Sequence, residues 1–121
     1  DYIINLELTG LGDMVWFDGK NSNYTQNNKS ISKIIEIVGE ENLTNVHTPF
    51  SDSYVFRNKG LDSTCIGILP KHDINSHNTW HLCHSLNDTF DKCSEKDMSN
   101  FVQVLLEIIQ GKKKEINTTE V

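Results

Sequence analysis

Midway through the sequence runs Ser63-Thr64-Cys65-Ile66-Gly67-Ile68-Leu69, closed by Pro70. It is short, apolar and rich in β-branched residues, which reads as a buried strand. Toward the N-terminus stands a second such segment, Tyr2-Ile3-Ile4-Asn5-Leu6-Glu7-Leu8, running into the glycine-rich turn Thr9-Gly10-Leu11-Gly12-Asp13. Met14-Val15-Trp16-Phe17 reads as a third strand, stopped by Asp18-Gly19, and the first two strands of the chain are expected as a hairpin or as neighbours.

Between these strands lie helical signals. A polar, Asn-rich loop from Lys20 to Lys29 delivers the chain to Ser30, a candidate N-cap. Ile31, Ile34, Ile35 and Val38 follow at the spacing of one helical face, and Gly39 stops the helix as a left-handed residue would. Residues 42–60 are mixed, with a turn at Thr48-Pro49-Phe50-Ser51-Asp52 and a short helix over Tyr54 to Asn58. Beyond Pro70 comes a His-rich loop, and Ser94-Glu95-Lys96-Asp97 then resembles a capping box opening a long helix to Gln110, with Gly111 as its stop. Its apolar face is expected at Met98, Phe101, Val102, Leu105 and Ile109. Strands alternating with helices imply an α/β three-layer sandwich with a mostly parallel sheet, here a partial domain of about three to four strands and two main helices.

The 121 residues suffice for one domain or a piece of one, and 36% hydrophobic with 23% charged residues is the balance of a globular chain rather than a disordered one. A net charge of −6 argues against nucleic acid as a partner. The one basic run, Lys112 to Lys114, follows the long helix, where cations meet the negative end of the helix dipole. No apolar run is long enough to span a bilayer, so no membrane partner is expected. Three cysteines, Cys65, Cys83 and Cys93, close no disulfide framework and favour a reducing, cytoplasmic setting over secretion. Asn-x-Ser/Thr matches at Asn23, Asn28, Asn42, Asn87 and Asn117 would suit a secreted glycoprotein, but they are expected by chance in so Asn-rich a chain. Opening at Asp1 in an apolar strand without Met, the sequence reads as part of a larger protein.

Chemistry gathers at two places. Glu7 is a carboxylate in an apolar strand, where burial calls for a cation, a strong donor or escape to solvent. The loop Asn75 to His84 concentrates His77, His81, Cys83 and His84, all competent zinc ligands. A closed structural zinc site from His81, Cys83, His84 and Cys93 lacks the Cys-x-x-Cys spacing such sites show, and Cys65 and Cys83 read as buried thiols rather than nucleophiles. Ligands of open α/β sheets collect at the carboxyl ends of strands. If the strands ending near Glu7 and at Leu69 are parallel, Glu7 and the loop bearing His84 share one edge.

His84 to Thr89, Ile4 to Gly10 and Ser51 to Gly60 are three segments that together resemble the zinc-dependent exopeptidases that include bacterial leucyl aminopeptidases and glutaminyl cyclases. His84-Ser85-Leu86-Asn87-Asp88-Thr89 is similar to that family's His-Thr/Ser-x-x-Asp-Thr element, whose His binds zinc and which a long helix follows. Ile4 to Gly10 resembles its Asn-x-Asp-x-x-Gly strand end, whose carboxylate is another ligand, and Ser51 to Gly60 resembles its Ser-Asp-His-x-x-Phe-x-x-x-Gly segment. The resemblance implies that residues 1–121 are the C-terminal part of such a catalytic domain, with Glu7 and His84 as metal ligands and Asp52, Asp88 and Thr89 in support. It further implies two zinc ions, a peptide substrate and hydrolysis by a metal-activated water. Glu7 departs from the family's Asp and Ser53 from its usual His. The His-x-Asp pair, bridging Asp and general base would lie upstream, so the chain alone is expected to bind zinc weakly and to lack activity. The alternatives are a degenerate, non-catalytic module binding peptide or protein, and a glutaminyl-cyclase-like acyltransferase. An exposed sheet edge would also favour a homo-oligomer.

Overall fold

A computed structural model of the chain describes residues 1–21, 28–48, 51–73 and 85–111. Among them four strands, β1 (Ile3–Leu6), β2 (Met14–Phe17), β3 (Leu43–Asn45) and β4 (Ser63–Leu69), form one sheet in the order β1-β4-β2-β3. Three helices, α1 (Lys29–Val38), α2 (Asp52–Asn58) and α3 (Glu95–Gln110), complete an α/β domain. No helix among the described residues is long and apolar enough to cross a membrane.

All seven residues of β4 are buried, as their composition requires. β4 pairs in parallel with β1, Ile3 opposite Ser63 through Leu6 opposite Ile66, and antiparallel with β2, Val15 opposite Ile68. β2 in turn pairs in parallel with β3. The sheet is therefore mixed. The two N-terminal strands are not neighbours, because β4 is inserted between them; the turn at residues 9–13 reverses no hairpin but crosses the end of β4. β3 carries no apolar signal of its own and forms because β2 offers it a free edge.

Alternate residues of β4 serve two different layers. Ile66 and Ile68 join Val15 and Phe17 of β2 and meet Ile34 and Ile37 of α1 and Phe101 and Ile108 of α3, the main core. Cys65 and Leu69 face the other way, packing with Trp16 in a smaller cluster on the side where α2 lies. α1 and α3 thus cover one face and α2 the other, the three layers expected. The face of α3 is turned from its expected position: Phe101 and Ile108 are buried with Val104 and Leu105 beside them, whereas Met98, Val102 and Ile109 are exposed. Contact with α1, which the periodicity of α3 alone does not contain, selects which part of a wide apolar stripe is buried.

Both long helices begin at residues that solve a backbone problem. Ser94 caps α3 as expected, its hydroxyl accepting from the Asp97 amide at 3.2 Å, and Gly111 ends it in the left-handed region at φ 68°. α1 starts earlier than expected, with Asn28 at the N-cap position and Ser30 buried inside the helix. Its unpaired amides are satisfied from outside by Asp62, whose carboxylate accepts from the Lys29 amide at 2.6 Å, the Ser30 amide at 3.3 Å and the Ser30 hydroxyl at 2.5 Å. Gly39 does stop α1, but at φ 91° and ψ 134°, outside the left-handed helical region. Burial opposes the charge on Asp62, yet the Ser30 hydroxyl and the Lys29 and Ser30 amides outweigh it and hold the carboxyl below its usual range.

A depressed folded-state pKa stabilises the fold above the unfolded value and is lost as pH falls through the folded one. Asp62→Ala is accordingly expected to cost about 1 kcal/mol at neutral pH, a difference that shrinks below about pH 4. Denaturant unfolding of both proteins between neutral and acidic pH checks it; an undiminished difference at low pH contradicts the cap.

Candidate functional site

The carboxyl end of β1 is irregular. The Glu7 amide donates to the Ile66 carbonyl at 3.0 Å, continuing the parallel ladder, and in an unbroken ladder the Ile68 amide would then donate to the Glu7 carbonyl. It donates instead to Leu8, at 3.1 Å. One extra residue therefore stands on β1, so that Glu7 and Leu8 together oppose Gly67: a β-bulge. Leu8 has φ 50°, a left-handed conformation that a leucine seldom adopts. Gly67 is what admits the bulge, since a Cβ there would lie 1.9 Å from the Glu7 carbonyl oxygen and 2.6 Å from the Trp16 ring.

The glycine turn beyond the bulge is tied to the start of α3 and the end of β4. The Gly12 amide donates to the Asp97 carboxylate at 2.9 Å, and the Ser94 amide to the Gly10 carbonyl at 2.6 Å. Asp97 thus spends its side chain on the turn rather than on the cap residue, a tertiary variant of the capping box. Asp13 accepts from the Lys71 amide at 2.8 Å, fastening the entry to β2 to the exit from β4.

On the α2 side of the sheet the buried residues are polar. Asp18, fully buried at the end of β2, accepts from the Cys65 amide at 2.9 Å and pairs with Arg57 of α2 at 3.2 Å. Arg57 also donates to the Ser63 carbonyl at 3.1 Å, and the Ser63 hydroxyl donates to Ser53 at 3.2 Å. Burial, with the carboxylates of Asp18 and Glu7 nearby, pushes the Cys65 thiol up to about 12, against a 3.3 Å hydrogen bond from the Asn5 amide. Cys65 is a packed thiol, as its sequence context suggests.

Glu7 is half-buried at this carboxyl end. The parallel pairing of β1 and β4 means that Glu7 and the chain leaving Leu69 toward the His-rich loop are at the same edge of the sheet. His84 lies outside the described residues, as do His77, His81 and Cys83. Asp52 is exposed in the first turn of α2, where a carboxylate meets the positive end of the helix. Asp88 and Thr89 are exposed, and the Thr89 hydroxyl donates to Asp91. Ser53, where the resembled family carries His, is wholly buried and bonded to Ser63, so it presents nothing to a ligand. Among the described residues no group of three His, Cys, Asp or Glu side chains converges on a point that could hold a metal ion. The described residues therefore supply one carboxylate of the expected set, whereas zinc takes at least three protein ligands as a rule.

An open cleft of about 630 Å³ lies elsewhere, on the α1 and α3 side of the sheet, with Asp13, Glu41, Lys71, Gln103 and Glu107 in its lining; none of Glu7, Asp52, Asp88 and Thr89 borders it. Comparison with family models, curated proteins and solved structures finds no match to this chain.

Sequence reading missed the Asp18–Arg57 pair and the bulge. Arg57 is the chain's one arginine, and its planar fork suits a buried carboxylate better than a lysine does; that single substitution among many lysines was the available signal. Gly67, inside an otherwise apolar strand, was the signal for close backbone approach. At pH 8 a thiol pushed up to about 12 is ionised to roughly one part in ten thousand. Native alkylation followed by peptide mass spectrometry is expected to modify exposed Cys93 and spare Cys65; equal labelling of the two contradicts this packing.

Proposed function

We propose that this chain is the C-terminal portion of a zinc-dependent exopeptidase of the aminopeptidase kind, with Glu7 and His84 among its metal ligands. The observation that supports the reading is the parallel pairing of β1 with β4, which puts Glu7 and the chain's exit from β4 at Leu69 on one carboxyl edge, the kind of edge where α/β sheets bind ligands. The half-buried carboxylate of Glu7 is the donor that a divalent cation would take from β1. Beside it the Cys65 thiol stays protonated at neutral pH and so competes neither as ligand nor as nucleophile. Zinc held there would supply Lewis acidity toward a peptide carbonyl and lower the pKa of a coordinated water. The general base and the remaining ligands would come from residues beyond this chain, with Asp52, Asp88 and Thr89 in supporting roles.

A second reading, a non-catalytic relative that keeps the fold to bind a peptide or protein, draws on Ser53. A buried serine bonded to Ser63 stands where the resembled family places His. A glutaminyl-cyclase-like acyltransferase would use the same ligands.

Zinc titration of the chain by calorimetry tests the ligand assignment. Weak binding is expected, with Glu7→Ala and His84→Ala each lowering affinity by about tenfold or more; unchanged affinity in both variants overturns the assignment. The sheet also offers its edges for pairing. β1 and β3 are the edge strands among the described residues, and β1 carries the exposed Leu6 beside exposed Tyr2. Light scattering at micromolar concentration is expected to report self-association, and a clean monomer would contradict it.

A further inference from the structure

α3 carries more apolar residues than the core takes up. Phe101 and Ile108 are buried, with Val104 and Leu105 beside them, whereas Met98 (43% exposed), Val102 (48%), Leu106 (42%) and Ile109 (79%) stay in water. At about 100° per residue, Met98, Leu106 and Ile109 all lie within about 40° of Val102, so the exposed residues form one row along the helix. Apolar side chains exposed singly are ordinary, but a continuous row of them marks an interaction surface. We propose that this row is the docking surface for a second copy of the chain, the two α3 helices packing antiparallel about a twofold axis.

A twofold interface must be complementary to itself. The row meets that condition. With the axis at the level of Val104, Val102 of one copy stands opposite Leu106 of the other and Met98 opposite Ile109, so every apolar residue of the row meets another. The ends match as well. Glu95, about 20° from the line through Val102, stands at one end of the row, and Lys112, Lys113 and Lys114 follow Gly111 in the sequence at the other. Lys96, the cation of the first turn, lies about 120° away and off the row. Antiparallel packing therefore brings the acidic end of each copy to the basic end of the other and opposes the two helix dipoles, whereas a parallel pair would set like charges together. A row of this length buries less than the roughly 800 Å² per partner of stable complexes, so the dimer is expected to be a weak one. This surface belongs to a helix rather than to a strand edge, and it does not depend on the zinc reading.

Sedimentation equilibrium of the full chain, from the low to the high micromolar range, is expected to show a monomer–dimer equilibrium. Val102→Glu and Leu106→Lys each put an unpaired charge against an apolar residue at both contacts, and each is expected to weaken the dimer by about tenfold or more. Both positions are exposed in the monomer, so the fold should survive, which circular dichroism checks. The equimolar mixture of the two variants is the decisive sample. Antiparallel packing sets the new carboxylate of one against the new ammonium of the other and leaves Val102 opposite Leu106 at the second contact, so the mixture is expected to dimerise where neither variant does alone. A monomeric parent overturns the proposal, and so does a parent dimer that persists undiminished in both variants, which would point to the strand edges. Monomeric variants that fail to associate when mixed overturn the antiparallel twofold arrangement.

Discussion

A strand buried at every position must satisfy its backbone on both sides and its side chains on both faces, and in this domain Ser63–Leu69 imposes that constraint on everything around it. β1 and β2 supply its two ladders. α1 and α3 cover Ile66 and Ile68, and α2 covers Ser63 and Cys65. The strand's polar requirements are met by named donors and acceptors: Asp18 takes the Cys65 amide, Arg57 serves the Ser63 carbonyl, and the Ser30 hydroxyl meets Thr64 at 2.5 Å.

The two faces of the sheet are stabilised differently. Toward α1 and α3 the packing is aliphatic and aromatic, and its strength follows the apolar area withdrawn from water. Toward α2 lies the buried pair of Asp18 and Arg57, whose mutual attraction is offset by the desolvation of both charges. What the pair does is orient: Asp18 joins the end of β2 to β4, and Arg57 joins α2 to both. An oriented polar layer at this face, next to a half-buried carboxylate, is the setting in which a ligand site can be held in a defined geometry.

Much of the fold was legible because its signals are local. Ser63 to Leu69 announces a buried strand by composition, Met14 to Phe17 matches its observed bounds, and the Ser94 cap and Gly111 stop delimit α3. The misreadings have one cause: partners distant in sequence. Asp62, more than thirty residues further along the chain, caps α1, so Ser30 is not the cap that its place in the sequence suggests. β3 exists through pairing with β2, and the buried face of α3 is chosen by α1. Glu7 stands out in the sequence as a carboxylate in an apolar strand, but its bulge depends on a glycine sixty residues away; His84 lies outside the described residues.

The zinc proposal requires that Glu7 and His84 serve one ion. Manganese titrated into isotope-labelled protein, followed by the broadening of backbone amide signals in nuclear magnetic resonance, reads this directly, since relaxation falls steeply with distance from the ion. The amides around Glu7 and around His84 are expected to broaden together and at the same manganese concentration. Broadening confined to the histidine-rich loop, with the signals around Glu7 unaffected, would contradict it.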